Sequence, residues 1–486
     1  MELSRSDTFT KPKHTSLAGY RSGNLAVGRT AVLNDLGEIP QVSLEYFKSA
    51  ILPPLRGQID IAKIKTSLEG AGAWSRLSGW TAIKKEPKIS GVSEEEAFEP
   101  LSKVFDAVVR EAEPEHLIHL FCALVFADNH ELGWDPTIQR VCVEGKSQYV
   151  ITVRADDGRT LEYQITRVVS DLSGYDIRSR GTWVFEVRLK SPDGNLDTAP
   201  LVLKDSWRDC DREREDEILE QIFDDLRKLK GIEAEEEARK YFLTVVDAGD
   251  VAEVCTPIYE LQHLDTVFKT LQDVHKALQF LHSAGWVHRD VSAGNALRAG
   301  EVGKLADLEF AKCMDSNTTH EVRTGTLDFM ACEVEAQTYL FKPSTGLPVD
   351  ADFKLLTNVE STTQLQVPFR FNPLHDLESL WWILTWILYH HVDKIDSQPS
   401  SGQIACFRQL FPGRLNSRFP KFSSSISWGV LSASFRPAAL VVDDMREQLR
   451  LAFTASETTM PPDYTDALGN LQFIFTKRFE TAVELS

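Results

Sequence analysis

The sequence predicts an α+β fold with two unlike lobes, a small β-rich lobe followed by a large helical lobe. Between residues 149 and 204, apolar and polar residues alternate in short segments, which is the pattern of half-buried strands. From Leu264 onward, apolar residues mostly recur every three or four positions, as they do in amphipathic helices. A polar strand–turn–strand pattern lies where the helical part begins, so we expect a functional cleft between the lobes.

The composition is that of a soluble globular protein. The 486 residues are 42% hydrophobic and 26% charged, with a formal net charge of −19. Such a charge argues against broad binding to nucleic acids or anionic membranes, so neither is expected as a partner. The seven cysteines are scattered and form no C-x-x-C pair, which disfavours a zinc ribbon and fits a reducing compartment.

Two further observations bear on location. The N-terminal sequence MELSRSDTFTKPKHTS lacks the apolar core of a secretory signal. The most apolar run, residues 377–389, is too short to span a bilayer and predicts a buried helix. We therefore expect an intracellular protein, cytoplasmic or nuclear, and the sequence carries no indication of its oligomeric state.

Five segments are expected along the chain. Residues 1–40 are polar and predict a flexible tail, and residues 41–148 predict a mainly helical N-terminal extension. Residues 149–255 correspond to the β-rich lobe and residues 256–450 to the helical lobe. Residues 451–486 are expected to add a C-terminal tail or helix.

Within the β-rich lobe, the strings YVITVR and TLEYQI at 149–165 flank the turn sequence DDG and predict a hairpin. The alternating string TWVFEV predicts another strand, and LVLK at 201–204 predicts a buried strand that ends in Lys204. An apolar stripe then predicts the next helix, with Ile218, Leu219, Ile222, Phe223, Leu226 and Leu229. A second stripe predicts a helix over 264–282, with Leu264, Val267, Leu271, Val274, Leu278 and Leu281.

The strand–turn–strand pattern carries the triplet His288-Arg289-Asp290, with Asn295 five residues later and Asp307 after a short apolar segment. Asn295 and Asp307 supply oxygen ligands of the kind that Mg²⁺ prefers, and a hairpin would hold both at one end. Asp290 would accept or orient the proton of a substrate hydroxyl. The pattern therefore predicts a phosphoryl-transfer site for ATP and Mg²⁺.

Other motifs accompany this site in the order found in protein kinases. Residues 324–333 (TGTLDFMACE) resemble the segment G-T-x-x-[FY]-x-A-P-E that closes a kinase activation loop. Residues 375–382 (HDLESLWW) resemble the start of the buried central helix of the large lobe. The resemblance implies that Asp376 holds the backbone of the catalytic loop and that Glu333 pairs with a distant arginine.

Lys204 resembles the strand lysine of protein kinases, which contacts the α- and β-phosphates of ATP and pairs with a helix glutamate. Glu215 shares the inward stripe of the next helix, whereas Glu217 falls among polar residues, so Glu215 is the preferred partner. The loop that cradles the phosphates is expected before this strand, where Gly181 is the remaining glycine of RSRGTW.

More specifically, the chain resembles the fungal-type protein kinases. The strings that carry this resemblance are VLKDSWRD at 202–209, HRDVSAGN at 288–295 and HDLESLWWIL at 375–384. The resemblance extends from roughly residue 100 to residue 440. It implies a bilobal protein kinase-like fold, ATP and Mg²⁺ as cofactors, and a protein substrate.

Two residues depart from the usual kinase pattern. Ser292 stands where most Ser/Thr kinases have a lysine, which removes a charge near the transferred phosphate and the usual clue to Ser/Thr or Tyr specificity. Glu309 replaces the glycine of D-F-G and lacks its backbone freedom. Three functions stay open: a Ser/Thr protein kinase, a pseudokinase that binds nucleotide or protein, and a small-molecule kinase of the aminoglycoside or choline type. Residues 325–333 count against the last, because those enzymes lack this segment.

The predicted activation loop also contains hydroxyl residues, namely Ser316, Thr318, Thr319 and Thr324. Arg289 would be placed to meet a phosphate on that loop, as in kinases switched by phosphorylation. A plain solvated loop is the alternative.

Overall fold

The computed structural model describes residues 3–5, 43–55, 57, 59–72, 74–75, 79–80, 114–132, 135–143, 146–155, 157–172, 182–206, 213–247, 251–314, 325–341, 369–394, 398–411, 415–459 and 461–486. The chain divides into two compact units. The larger unit consists of Met1–Leu25 and Thr152–Ser486, and the smaller unit is Ala26–Ile151.

The described strands are β1 (Leu3–Arg5), β2 (Trp74–Ser75), β3 (Gly79–Trp80), β4 (Ile138–Val143), β5 (Lys146–Arg154), β6 (Thr160–Leu172), β7 (Thr182–Lys190), β8 (Leu201–Ser206), β9 (Val245–Asp247), β10 (Val251–Glu253), β11 (Thr256–Pro257), β12 (Trp286–Val287), β13 (Ala296–Ala299), β14 (Val302–Leu305), β15 (Lys312–Cys313) and β16 (His391–Asp393). The described α-helices are α1 (Leu44–Tyr46), α2 (Ile61–Gly70), α3 (Pro114–Val125), α4 (Glu215–Lys230), α5 (Ile232–Ala238), α6 (Leu264–Ser283), α7 (Cys332–Ala336), α8 (Pro373–His390), α9 (Ser401–Leu410), α10 (Leu415–Ser423), α11 (Arg436–Ser456) and α12 (Thr465–Leu485).

The smaller unit contains helices and short strands. α2 packs on α3, where Lys65 forms an ion pair with Glu115. β4 pairs antiparallel with β5. The sequence predicted a mainly helical segment over 41–148 and missed β2, β3 and β4. Ile138 and Val141 of β4 are only partly buried, so its apolar pattern is weak and its partner strand determines its conformation.

The sheet of the larger unit runs in the order β6-β7-β8-β10-β9. Both strands that flank the predicted turn form, and Gly158 adopts a positive φ of 85° between them. Phe185 of β7 lies opposite Leu203 of β8, and both side chains are buried. Lys204 follows Leu203 and therefore projects from the other face of the sheet.

The helical lobe is built around α6 and α8. The predicted stripe of α6 is fully buried, and every residue of α8 is buried. Helices α11 and α12 pack on these two, and α12 lies within the segment predicted as a C-terminal tail or helix. The predicted α+β organisation, a small β-rich lobe followed by a large helical one, is therefore confirmed. Among the described residues, no helix is both long and apolar enough to cross a membrane.

Two sequence expectations differ from the structure. Leu229 was assigned to the buried stripe of α4, yet it is 62% exposed, because the whole last turn of that helix lies at the surface before the bend at Gly231. Leu3–Arg5 lie within the predicted flexible tail, yet they pair as β1 with β16. The buried Leu3 side chain joins the core of the helical lobe, which supplies the driving force for this pairing. The rest of that segment, residues 1–2 and 6–40, lies outside the described residues.

Candidate active site

The hairpin of β13 and β14 brings the two predicted metal ligands together. Ala296 pairs with Leu305, and the backbone N–H of Ala306 donates to the carbonyl of Asn295 at 2.9 Å. Asn295 and Asp307 therefore extend from the same open end of the hairpin. The turn at the other end is made by Gly300, whose φ is 55°.

The oxygens at this end of the hairpin fit Mg²⁺. The side-chain amide of Asn295 donates to the carbonyl of Asp290 at 2.9 Å, so its oxygen remains available as an acceptor. Asp307 adds a carboxylate. The described residues contain no group of three or more His, Cys, Asp and Glu side chains suited to a metal. Two protein ligands are nevertheless the usual arrangement for Mg²⁺, which keeps water and phosphate oxygens as its other ligands.

Lys204 lies between two carboxylates. Its Nζ is 3.1 Å from Glu215 Oε2 and 2.6 Å from Asp307 Oδ1. The other oxygen of Glu215 accepts the backbone N–H of Leu308 at 3.0 Å, which fixes the start of the segment after Asp307. Burial tends to lower the pKa of Lys204, but the charges of Asp307, Glu215 and Glu309 outweigh it, and the net pKa is well above the ordinary value. Lys204 therefore stays a cation.

The two candidate glutamates, Glu215 and Glu217, have different partners in the structure. Glu217 accepts the backbone N–H of Arg214 at 2.9 Å and so caps the start of α4, whereas Glu215 faces Lys204. Glu309, which replaces the expected glycine, lies close enough to act electrostatically on Lys204. Leu308 beside it is buried in the core. Gly181, expected in the phosphate-cradling loop, lies outside the described residues.

Asp290 is held by a residue that the sequence reasoning gave no role. Both the backbone N–H and the hydroxyl of Thr326 donate to Asp290 Oδ1, at 2.8 and 3.0 Å. Both bonds go to the same oxygen of the carboxylate. Burial and the negative charge of Asp307 raise the pKa of Asp290, and the bonds from Thr326 partly oppose this shift.

Gly325 permits this contact. Its φ of 112° is a conformation that side chains rarely allow, and a Cβ there would approach the carbonyl of Arg289 to 2.9 Å. A side chain at position 325 would therefore push Thr326 away from Asp290. This explains the glycine of the G-T pair in physical terms.

A buried carboxylate holds the backbone of the predicted catalytic loop, residues 288–290. Asp376, at the start of α8, accepts the backbone N–H groups of His288 at 2.8 Å and Arg289 at 3.0 Å. Its Oδ2 also lies 3.0 Å from Nε2 of His282 in α6. Arg289 has a left-handed φ of 72°, a conformation that costs about 1–2 kcal/mol, so these bonds stabilise an otherwise unfavourable backbone. The ring of His288 reaches the carbonyl of Ala306 at 3.0 Å and ties the loop to β14.

Glu333 was expected to pair with a distant arginine, but in the structure it pairs with His375 and Glu457. Glu333 Oε2 lies 3.0 Å from His375 Nε2, and its carboxyl group is hydrogen-bonded to that of Glu457. The buried arginine in this region, Arg418, instead donates to the carbonyl of Leu327 at 2.9 Å. The end of α11 places Glu457 beside Glu333, and a protonated carboxyl can donate the hydrogen bond expected from arginine.

Ser292 leaves the expected lysine position without a cation. The residue is 1% exposed, and its hydroxyl has no hydrogen-bond partner among the described residues. The positive charge beside Asp307 therefore comes from Lys204. The serine at position 292 adds none.

Arg289 also lines a small cationic pocket. Arg289, Lys312 and Arg370 line it together with Cys313 and Phe371. Arg289 also lies over the ring of Phe371, with Cζ 5.8 Å from the ring centroid. The sequence had suggested Arg289 for a phosphate contact and missed Lys312 and Arg370. Lys312 lies five residues after Asp307, a spacing that could have signalled it.

Comparison with known proteins gives matches of two kinds. Residues 102–240 and 250–388 match the sequence pattern of the family described as fungal protein kinase. A stretch of 72 residues is 38% identical to serine/threonine-protein kinase STY46 of Arabidopsis thaliana, covering 15% of this chain and 12% of that protein. A stretch of 98 residues is 32% identical to serine/threonine-protein kinase ULK1 of Homo sapiens, covering 18% of this chain and 9% of that protein. The matched stretches thus span a small part of either relative.

Proposed function

Because the chain belongs to the fungal protein kinase family, we propose that it transfers the γ-phosphoryl group of ATP to a Ser or Thr hydroxyl of a protein. The observation that carries the proposal is the arrangement of Asp290, held by Thr326, beside the group formed by Lys204, Glu215 and Asp307. The two relatives named above are both Ser/Thr kinases, which supports the choice of acceptor.

Asp290 acts on the substrate hydroxyl. Oδ1 is occupied by Thr326, so Oδ2 accepts or orients the proton as the oxygen attacks. The raised pKa makes this carboxylate a stronger base than an exposed aspartate. Transfer thus depends on Asp290 being ionised and correctly placed.

Lys204 and the hairpin end bind the nucleotide. Lys204, kept charged by Glu215 and Asp307, binds the α- and β-phosphates of ATP. Asn295 and Asp307 would hold Mg²⁺, which supplies positive charge to the phosphate oxygens when bound. Gly181 would belong to the loop over the phosphates.

A second candidate is a pseudokinase, and Ser292 is the observation that favours it. Without a lysine there, one positive charge near the transferred phosphate is missing, and charge stabilisation is usually the largest part of such catalysis. A small-molecule kinase is disfavoured, because Thr326 from the segment typical of protein kinases contacts Asp290 directly.

Phosphate transfer from labelled ATP to a protein substrate tests the proposal. We expect Asp290→Asn to lower the rate about 10²- to 10⁴-fold, because a general base contributes about that much. Nucleotide binding, measured by thermal shift with ATP and Mg²⁺, should remain. Asp466→Asn, at an exposed position of α12, is the control and should keep the full rate. Binding without transfer in the wild type would identify a pseudokinase, and transfer to small alcohols alone would identify the small-molecule enzyme.

We also propose that the cationic pocket receives a phosphate from the loop between Asp307 and Glu333. Phosphatase treatment should lower the activity of Arg370→Gln by a factor about ten times smaller than in the wild type. The reason is that the substitution removes one charge-assisted hydrogen bond to the phosphate. Arg408→Gln, an exposed arginine of α9, should leave the effect of phosphatase unchanged. Wild-type activity that resists phosphatase would contradict this proposal.

A further inference from the structure

The C-terminal helix α12 packs on the helix that precedes the catalytic loop. The rings of Phe475 and Phe479 in α12 each lie 5.7 Å from the ring of His275 in α6, measured between centroids. His282 lies two turns further along the same face of α6. The contact between the two helices therefore extends to a residue that touches the support of the catalytic loop.

His282 has a defined role in that support. Its side chain and that of Asp376 are each 1% exposed, and its Nε2 lies 3.0 Å from Asp376 Oδ2. Because an ionised carboxylate only accepts hydrogen bonds, Nε2 must carry the proton and donate it. In the neutral imidazole the other nitrogen, Nδ1, is then an acceptor that needs a donor.

Gln472 of α12 supplies that donor. Its side-chain nitrogen lies 3.3 Å from Nδ1 of His282. A continuous path of hydrogen bonds therefore runs from Gln472 through His282 to Asp376, and from Asp376 to the backbone N–H groups of His288 and Arg289. The path links the last helix of the chain to the backbone beside Asp290.

We infer that Gln472 is a positioning residue that holds the imidazole ring of His282 through Nδ1 and thereby keeps its Nε2–H on the carboxylate that holds the catalytic loop. The inference rests on the proposed function, in that the task of this loop is taken to be phosphoryl transfer. Gln472 lies outside the part of the chain matched by the family pattern, which ends at residue 388.

Removing the donor has a specific chemical consequence. Nδ1 then becomes a buried acceptor without a partner. We expect the ring to lose the bond that holds it from the side of α12, so that its Nε2–H moves away from Asp376 and the bonds of that carboxylate to the loop weaken.

The substitution Gln472→Met keeps the side-chain volume and removes the donor. We expect kcat for phosphoryl transfer to fall about fivefold at neutral pH, the effect of losing one hydrogen bond. The matched control is Gln279→Met, because Gln279 reaches Gln472 O and Thr476 Oγ1 across the same helix contact, at 3.5 and 3.3 Å. It loosens the contact but leaves His282 untouched, so the ¹⁵N signals of His282 in this variant should match the wild type.

Equal losses of kcat in the two variants, with unchanged ¹⁵N signals of His282, would show that α12 acts only by packing and would overturn the inference. A second measurement keeps it separate from the proposed function. In ¹⁵N-histidine NMR of the full chain, His282, assigned by its loss in His282→Gln, should show the Nε2–H tautomer and change in Gln472→Met. If the wild type transfers no phosphate, the proposed function fails, and an unchanged His282 signal in Gln472→Met would overturn the inference on its own.

Discussion

Asp376→Asn is expected to lower the free energy of unfolding by about 3–5 kcal/mol and the rate of phosphoryl transfer by about 10²-fold. The carboxylate accepts from three donors, namely two backbone N–H groups of the catalytic loop and His282. Burial tends to raise the pKa of Asp376, but the hydrogen bonds from His282 and from the backbone of His288 outweigh this and lower it below the ordinary value. The group is therefore ionised at neutral pH. An amide in its place has one oxygen for three donors and turns its own N–H groups toward one of them.

The loss of activity follows from the backbone of the loop. Arg289 holds a left-handed φ of 72°, and its N–H is one of the donors to Asp376. Without that bond the loop relaxes, and Asp290 beside it moves away from the position set by Thr326. A displacement of about 1 Å is enough to lower a rate about 10²-fold.

Thermal unfolding and labelled-ATP transfer check both parts. The melting temperature should fall by roughly 10 °C. Asp443→Asn is a suitable control, because it removes a helical aspartate that pairs with Arg446 and does not touch the loop. A variant at position 376 that kept wild-type melting and activity would show that the carboxylate does not support the loop.

The catalytic loop was predictable because its parts lie close together in the sequence. One hairpin, spanning ten residues from Ala296 to Leu305, brings Asn295 and Asp307 together, and a strand–turn–strand pattern is visible in the residue order. The pairing of Lys204 with Glu215 depended on the resemblance to kinases. Helical periodicity then selected Glu215 over Glu217, since only one of them shares the inward stripe.

What the sequence missed depends on contacts between distant segments. Glu457 lies 124 residues after Glu333, and Gln472 lies 190 residues after His282, and no periodic pattern links either pair. Gln472 is a polar residue on the packed side of an amphipathic helix, where the pattern alone predicts only a half-buried surface position. Its partner is determined by how α12 packs on α6, which follows from the apolar residues around it. Leu229 is a different case. Its spacing matches the apolar stripe of α4, but the sequence does not show where the packed part of that helix ends.

Two carboxyl groups are buried against each other where the segment ending at Glu333 meets α8 and α11. Glu333 and Glu457 are no more than 1% exposed, and Glu457 also accepts the backbone N–H of Phe341 at 2.9 Å. Burial raises the pKa of Glu333 to about 7. Burial and the hydrogen bond and charge of Glu333 raise the pKa of Glu457 to about 9. Glu457 therefore keeps its proton at neutral pH and donates it to Glu333.

The sign of the pH effect follows from the number of bound protons. The unfolded chain loses these protons near pH 4.3, whereas the folded chain keeps them to higher pH. Between these values the folded state binds more protons, so the free energy of unfolding falls as the pH rises, by at most about 1.4 kcal/mol per pH unit for each extra proton. The loss is complete only above the folded pKa of about 9 of Glu457. Neighbouring groups that interact electrostatically with the pair are His375, Glu378 and Tyr464.

Glu457→Gln should therefore be more stable than the wild type at pH 9 and about equally stable at pH 5. The amide can accept from Phe341 and donate to Glu333 as the protonated acid does, yet it has no proton to lose. Denaturant unfolding across this pH range should show a shallower decline for Glu457→Gln, with Glu301→Gln, whose side chain is 97% exposed, following the wild type. A wild-type stability that stayed level from pH 6 to pH 9 would mean that the two carboxyl groups share no proton. In that case the carboxylate of Glu333 would be held by His375 and the backbone N–H of Leu340, and substituting Glu457 would matter only through its bond to Phe341.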